Sequence, residues 1–208
     1  MKTVLAATVA FVFACNVAAF AQTEVACGQT LETPFRSRAM LAIDSRPAGL
    51  EIVGTDNPVM HLSCIANDVD PQDIRIRFSG TADDGKLTIS GNSFHKGNLQ
   101  IRIEVPRKTN LKVKMAVGQV KVAEIAGDKD IDLSVGQITV SSDRLWDYRR
   151  VDTSVDLGEL RAPVYGADKG GFFRSFSKQT IDGEYSLRAH LTVGQIELLG
   201  GHAPAAAE

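Results

Sequence analysis

One short motif, repeated four times, limits the folds open to this chain more than any other feature. Each copy is an apolar residue, a glycine, a Gln or Glu, and a second apolar residue. The copies span Val117–Val120, Val135–Ile138, Leu157–Leu160 and Val193–Ile196. Their glycines, Gly118, Gly136, Gly158 and Gly194, are 18, 22 and 36 residues apart, and 36 is twice 18. This period is too short for repeats built from helix pairs and suits one coil of a β-solenoid, in which each turn stacks a strand on its neighbour.

The glycine of each copy is expected at a corner of the coil, because glycine fits where the chain turns sharply or where adjacent coils leave no room for a Cβ atom. The apolar residues on both sides would point inward, while Gln119, Gln137 and Gln195 would stack on the outer surface. The missing copy between Gly158 and Gly194 coincides with residues around 166–176, which we interpret as an insertion that leaves one coil. The alternative fold is an antiparallel β-sandwich whose hairpins share a turn motif.

Alternation of apolar and polar residues continues through most of the chain after residue 35, in short segments bounded by Gly, Asp, Asn or Pro. This period of two is typical of strands. The predicted strands are Leu50–Val53, Met60–Ile65, Ile74–Phe78, Leu87–Ile89, Leu99–Val105 and Leu111–Met115. Asp83-Asp84-Gly85 predicts a hairpin turn between two of them. The sequence therefore predicts a single all-β domain.

The N-terminus has the pattern of a secretory signal peptide. Lys2 is followed by an apolar run over residues 4–14, and residues 19–21 fit a small-residue A-x-A cleavage site. The run lacks the roughly 18 uniformly apolar residues of a membrane-spanning helix. We therefore expect residues 1–21 to be removed.

Loss of the signal peptide leaves 187 of the 208 residues, and the formal net charge goes from -2 to -3 because Lys2 is lost. This is enough chain for one domain with a core of its own. A weakly acidic surface argues against nucleic-acid binding, which needs cations to displace counterions from phosphate. We expect no transmembrane segment in the mature chain.

Three cysteines occur in the chain. Cys15 lies in the signal peptide, and lipoprotein processing there is disfavoured because Phe13 is too bulky for a lipobox. Cys27 and Cys64 remain as an even pair, which in an oxidising compartment predicts a disulfide. Their separation of 37 positions is unlike the close spacing of redox or metal-binding cysteine pairs.

Nearly the whole mature chain resembles a known family. An extended strand ending in Ile103-Glu104-Val105-Pro106 is followed by a loop and by Gly-x-Val/Ile-x-Val coils at residues 118–122 and 136–140. This succession is similar to the bacterial putative-adhesin family of cell-envelope β-solenoids, also called toastrack-like domains, over about residues 45–200. The resemblance implies an envelope location and a binding or scaffolding role, and it supplies no catalytic residue. Many members carry Gly-Ser-Gly-Asp at the corner where this chain has Val-Gly-Gln, so no role of a corner aspartate is carried over.

These features divide the chain into a signal peptide (1–21), an N-terminal lead segment (22–44), a putative-adhesin-like β-solenoid domain (45–200) and a disordered Ala-rich tail (201–208). The expected function is that of an exported, non-catalytic binding or scaffolding protein of the cell envelope, periplasmic or extracellular. Its expected partner is an envelope protein or a polysaccharide, and no cofactor is expected.

No catalytic motif was found. The four histidines, His61, His95, His190 and His202, lack a second histidine or a carboxylate at ligand spacing. The chain contains no G-x-S-x-G nucleophile motif. Neither an enzyme nor a metal centre is therefore expected.

Carboxylates give the alternative function. Asp128, Asp130 and Asp132 would share one face of an extended segment. Such a face could bind Ca²⁺ through oxygen ligands, or it could serve a small carbohydrate-active β-helix enzyme, which needs two carboxylates within reaction distance. We favour a charged, solvated face that also discourages aggregation.

The segment from Phe172 to Lys178 concentrates aromatic and basic side chains in a chain with only 6% aromatic residues. Phe172, Phe173, Arg174, Phe176 and Lys178 are therefore a candidate contact surface. The alternative is a plug, in which the phenylalanines cover the apolar end of the solenoid.

Overall fold

The computed structural model describes residues 21–67, 70–91 and 98–200. Residues 1–20 of the predicted signal peptide, with Cys15, lie outside the described residues, as do His95 and the predicted tail at 201–208. Within the described residues, no helix is long and apolar enough to cross a membrane.

The described chain is all-β. Its strands are β1 (Ala21–Ala26), β2 (Leu31–Pro34), β3 (Met40–Thr55), β4 (Val59–Asn67), β5 (Ile74–Gly80), β6 (Asp84–Gly91), β7 (Asn98–Pro106), β8 (Asn110–Ala123), β9 (Lys129–Ser141), β10 (Tyr148–Ala162), β11 (Ala167–Gln179) and β12 (Tyr185–Leu199). Three single-turn 3-10 helices occupy Pro71–Asp73, Leu145–Asp147 and Pro163–Tyr165. All six strands predicted above lie within observed strands, and the predicted turn at Asp83-Asp84-Gly85 lies at the tip of the β5–β6 hairpin.

The twelve strands form one mixed sheet. The central strand β3 pairs in parallel with β8 along one side. On its other side the first half of β3 pairs with β6 and the second half with β7, both in parallel. On this side of β3, each layer of the sheet consists of two short strands, one in each half. Counted outward from β3, the layers are β6 with β7, β5 with β4, and β1 with β2. The long strands β3, β8, β9, β12 and β10 run through both halves.

The strands that carry the repeat pair in parallel, but their order in the sheet is β8, β9, β12, β10. The first two copies are therefore neighbours in the sheet, whereas the last two are in reversed order. β12 lies between β9 and β10, so Gly194 aligns with both Gly136 and Gly158. Residues 167–179 cover most of the segment interpreted above as an insertion. They form β11, which runs antiparallel along β10 at the end of the sheet.

One buried cluster joins both halves of the sheet. In β8, for example, Leu111, Val113 and Met115 face it from the first half, and Val120 and Val122 face it from the second. The predicted boundary between residues 44 and 45 falls inside β3, and β1 and β2 belong to the same sheet. The predicted lead segment thus contributes β1, β2 and the start of β3 to this sheet.

Candidate functional site

The four repeat glycines form a row across the sheet. Gly118 aligns with Gly136, Gly136 with Gly194, and Gly194 with Gly158. Their φ angles lie between +133° and +143°, a region that residues with a side chain rarely adopt. A Cβ atom on any of them would overlap the carbonyl oxygen of the neighbouring strand. The row therefore marks a line, here called the corner, along which the four strands approach one another closely.

The corner breaks the alternation of inward and outward side chains. Four residues separate the buried Met115 from the buried Val120, so the side chains before and after the glycine both face solvent. The apolar residue that follows each Gly-Gln or Gly-Glu is buried, as expected. The apolar residue that precedes each glycine is exposed, and the expectation that both point inward is wrong for this position.

These exposed residues form a continuous apolar row, here called the corner ridge. Its members in sheet order are Val117, Val135, Val193, Leu157 and Phe172. The first four are between 37% and 48% exposed, and Phe172 is 68% exposed. With strands about 4.8 Å apart, five members extend over about 19 Å.

A polar row runs beside the corner ridge. Gln119, Gln137, Gln195 and Glu159 align across the same strands, on the outer face where the glutamines were expected. Gln195 donates to Glu197 at 2.8 Å, and Gln137 lies 3.4 Å from the other oxygen of the same carboxylate. The ridge is therefore bordered by amides rather than by a block of like charges.

The predicted contact segment splits between two environments. Phe172 and Phe173 face solvent, and Phe173 is 81% exposed. Phe176 is partly buried against the core and stacks on the ring of Tyr165 at 5.3 Å. The same segment thus supplies both an exposed apolar pair and an inward-facing anchor.

Lys178 adds a second anchor for β11. Its ammonium lies 4.5 Å from the ring centre of Trp146 and 4.6 Å from that of Tyr165. Such cation–π contacts each contribute about 0.5–1 kcal/mol at exposed sites. Arg174, by contrast, stays on the exposed part of β11 and donates to Gly170 O at 2.7 Å.

The outer face of the first half of the sheet carries a ladder of alternating charges. Lys112, Asp130, Arg188 and Asp152 align in that order. Arg188 contacts Asp130 at 3.0 Å. Hydrogen bonds from Ser177 and Arg150 lower the pKa of Asp152.

The three predicted aspartates have separate surroundings. Asp128 accepts hydrogen bonds from the backbone and hydroxyl of Ser186, and Asp130 pairs with Arg188. Asp132 aligns with His190 on the neighbouring strand. Among the described residues, no group of three or more His, Cys, Asp or Glu side chains could hold a metal ion.

His190 lies between two polar neighbours on β10. Its Nδ1 is 2.9 Å from Ser154 Oγ, and its Nε2 is 3.9 Å from Asp156 Oδ2. The second separation is too long for a hydrogen bond. The arrangement therefore lacks the oriented carboxylate that activates a histidine in serine hydrolases.

Sequence reasoning missed the most unusual polar group, Lys129. This residue is 2% exposed, and its ammonium donates to Ile125 O, Gly127 O and the hydroxyl of Tyr148. Burial lowers the pKa of Lys129 to about 7, opposed by the charge of Asp128. Its position was readable, because Lys129 is in phase with the buried Ile131 and Leu133 along β9.

A disulfide joins Cys27 to Cys64, with 5.1 Å between the Cα atoms. It ties the connection between β1 and β2 to β4. Disulfides form and persist in oxidising compartments, so this bond points to an exported protein.

A solved structure shares this fold. A putative cell adhesion protein from Clostridium sporogenes superposes with a TM-score of 0.53 at 16% identity, covering 83% of this chain and 99% of that protein. A putative lipid binding protein from Parabacteroides distasonis and a putative adhesin from Bacteroides fragilis reach TM-scores of only 0.22 and 0.21, at 10% and 7% identity, and cover 82% and 85% of this chain and 96% and 97% of their own. No protein-family profile and no curated protein matches the chain.

Proposed function

We propose that this chain is an exported, non-catalytic binding or scaffolding protein of the cell envelope, of the putative-adhesin type, and that its stacked strands form a β-solenoid. Three observations support the proposal. The repeat strands stack in parallel with their glycines aligned. The disulfide is suited to an exported protein. A neighbour in fold is described as a putative cell adhesion protein.

The corner ridge is the observation that carries the binding role. Exposed apolar side chains are common singly, but the corner ridge is an aligned patch that ends in Phe172, and the next residue, Phe173, is also exposed. Such patches on soluble domains mark contact surfaces. Its aliphatic members favour a protein partner over a polysaccharide, because aliphatic and aromatic side chains form the buried centre of protein interfaces.

The proposal that the chain is non-catalytic is supported by the surroundings of its polar side chains. Asp130 and Asp152 belong to ion pairs and hydrogen bonds of the charge ladder, and Asp128 holds Ser186. These contacts give each carboxylate a role in holding strands together.

Affinity capture from the native cell tests the binding role. The mature chain is immobilised and exposed to solubilised envelope proteins and, separately, to isolated cell-wall polysaccharide. Val135→Thr with Val193→Thr makes the ridge polar while keeping β-branched side chains. We expect the parent to retain a defined envelope protein and this double variant to lose it.

Thr139→Ser with Thr192→Ser is the matched control, because it changes the same two strands without touching the ridge. Capture that survives the ridge variant, or retention of polysaccharide alone, would contradict the assigned surface. Release of reducing ends from the polysaccharide would contradict the non-catalytic role.

A further inference from the structure

β11 leaves one long edge of the sheet open. Among the described strands it pairs only with β10, and it does so over almost its whole length. Nearly all of its thirteen residues are exposed. An open edge presents unpaired backbone groups to which another strand can add.

Two basic side chains of β11 cover backbone oxygens of the same strand. Lys169 Nζ donates to Ser175 O at 2.8 Å, and Arg174 Nε donates to Gly170 O at 2.7 Å. Both contacts span Phe172 and Phe173. The side chain of Lys169 reaches forward along the strand, and that of Arg174 reaches back. Each places a side chain at a carbonyl that an added strand could otherwise use, and edge lysines are a known protection against strand addition.

The strands at the opposite end of the sheet run in a direction that would allow them to pair with β11. β1 and β2 are its last strands, one in each half, and both run in the direction of β3. β10 also runs in this direction, and β11 is antiparallel to it. The β1–β2 end of a second copy, laid against β11, would therefore form an antiparallel pair in both halves of the sheet.

Pairing of β11 with β11 of a second copy fits less well. Phe172 aligns with the exposed Leu157 and Arg174 with the buried Val155, so β11 passes from outward to inward positions at the corner. A two-fold pair with coincident corners would set Phe172 against Arg174 of the other copy, on opposite faces. Residues 27–30 form a loop between β1 and β2, so they do not fix which face a side chain at the corner must take.

Charge selects the same partner. The segment β11 contains Asp168, Lys169, Arg174 and Lys178, a net positive strand that would repel its own copy. The only charged residues of β1 and β2 are Glu24 and Glu32. Glu24 also pairs with Arg77 and Arg75 on β5, and hydrogen bonds from these two arginines lower its pKa.

We propose that β11 is a docking edge for the β1–β2 end of a second copy of this chain, and that Lys169 and Arg174 keep this edge closed in the monomer. Each head-to-tail contact leaves one free end on each copy, so the released form would grow into open chains, or into rings where the rotation between copies closes, rather than stop at dimers.

Light scattering after size-exclusion chromatography tests the closed edge. Lys169→Gln with Arg174→Gln frees both carbonyls, and we expect a mass at or above that of the dimer, rising with protein concentration, while the parent stays monomeric. Lys112→Gln with Lys121→Gln on β8, an inner strand of the sheet, is the matched control and should remain monomeric. Far-UV circular dichroism verifies that every variant is folded.

Cysteine trapping identifies the contact. In the background with Lys169→Gln and Arg174→Gln, Gln22→Cys together with Ser177→Cys should oxidise to a ladder of dimers, trimers and longer chains, because the strand registers place these two positions at the same level of the sheet. A variant that stays monomeric without Lys169 and Arg174 overturns the proposal. So does a parent that already assembles, or dimers trapped by Ser177→Cys alone.

Discussion

At the residue scale, a comparison of two glycines distinguishes the cost of steric overlap from the cost of backbone strain. Gly136 has φ +139° and no room for a Cβ atom beside Gly118 O, whereas Gly166 has φ +67° and open space around it. We expect Gly136→Ala to lower the free energy of unfolding by at least about 3 kcal/mol and Gly166→Ala by about 1 kcal/mol. Denaturant titration of both variants measures the difference.

Gln137 provides a second comparison one residue away. Its side chain lies on the outer face beside Glu197, so Gln137→Lys should change stability by less than about 0.5 kcal/mol. If Gly136→Ala and Gln137→Lys unfold at the same denaturant concentration, the strands do not approach closely at Gly136.

Lys129 makes stability depend on pH. Burial lowers its pKa to about 7 from the model-compound value of 10.5, so between these values the unfolded chain holds a proton that the folded chain has lost. Stability contributed by this group therefore rises with pH across the window, by about 1.4 kcal/mol per unit, and the cost of burying the charge is fully present below pH 7.

Urea titrations between pH 6 and 10 test this dependence. Lys129→Met should remove most of the rise, and Lys121→Met, at an exposed position of β8, should retain it. Equal slopes in the parent and in Lys129→Met would show that the lysine keeps its charge on folding.

At the element scale, the disulfide holds the connection between β1 and β2 against β4. Replacing Cys27 and Cys64 together by Ser should lower the free energy of unfolding by up to about 4 kcal/mol, because the bond closes a loop with a separation of 37 residues. Thiol labelling of the mature parent without reductant should modify no cysteine. Two labelled thiols in the folded protein would refute the bond.

The attachment of β11 depends on Lys178 and its aromatic neighbours. Lys178→Ala removes the cation from Trp146 and Tyr165, so we expect faster amide hydrogen exchange in β11 and no change in β8 or β9. Lys112→Ala on the charge ladder is the control. Unchanged exchange in β11 would mean that its backbone pairing with β10 suffices.

The sequence predicted individual strands well because each alternates apolar and polar residues along its length. It predicted the row of glycines because every copy has the same spacing around Gly. The outward position of Val117 and Val135 was not predicted, since the phase of a strand is lost at the corner and nothing local restores it. The burial of Lys129 was not predicted, because a lysine flanked by Asp128 and Asp130 gives no local signal of burial apart from its phase with Ile131.

At the scale of the whole molecule, the order of the strands was beyond the sequence. The four copies are nearly identical, so any of them could neighbour any other without changing the local pattern. Only the position of β12 between β9 and β10 decides that Gly194 separates Gly136 from Gly158.

This strand order predicts that the sheet does not tolerate the loss of β12, the last strand in the chain. In a chain ending at residue 183, no strand would pair β10 and β11 with β9. The inner faces of β10 and β11 would then be exposed. We expect it to aggregate or to lack a cooperative thermal transition, and a chain ending at residue 200 to unfold like the parent. A cooperative transition without β12 would show that β10 can pair directly with β9.

The inserted strand also fixes the timing of folding. A chain that emerges from its N-terminus can assemble the layers up to β9 as they appear, but β10 and β11 have no place in the sheet until β12 follows them. Completion of the native state must therefore wait for nearly the entire polypeptide. If the protein is exported as an unfolded chain, this delay would keep roughly its last third unfolded until translocation is almost complete.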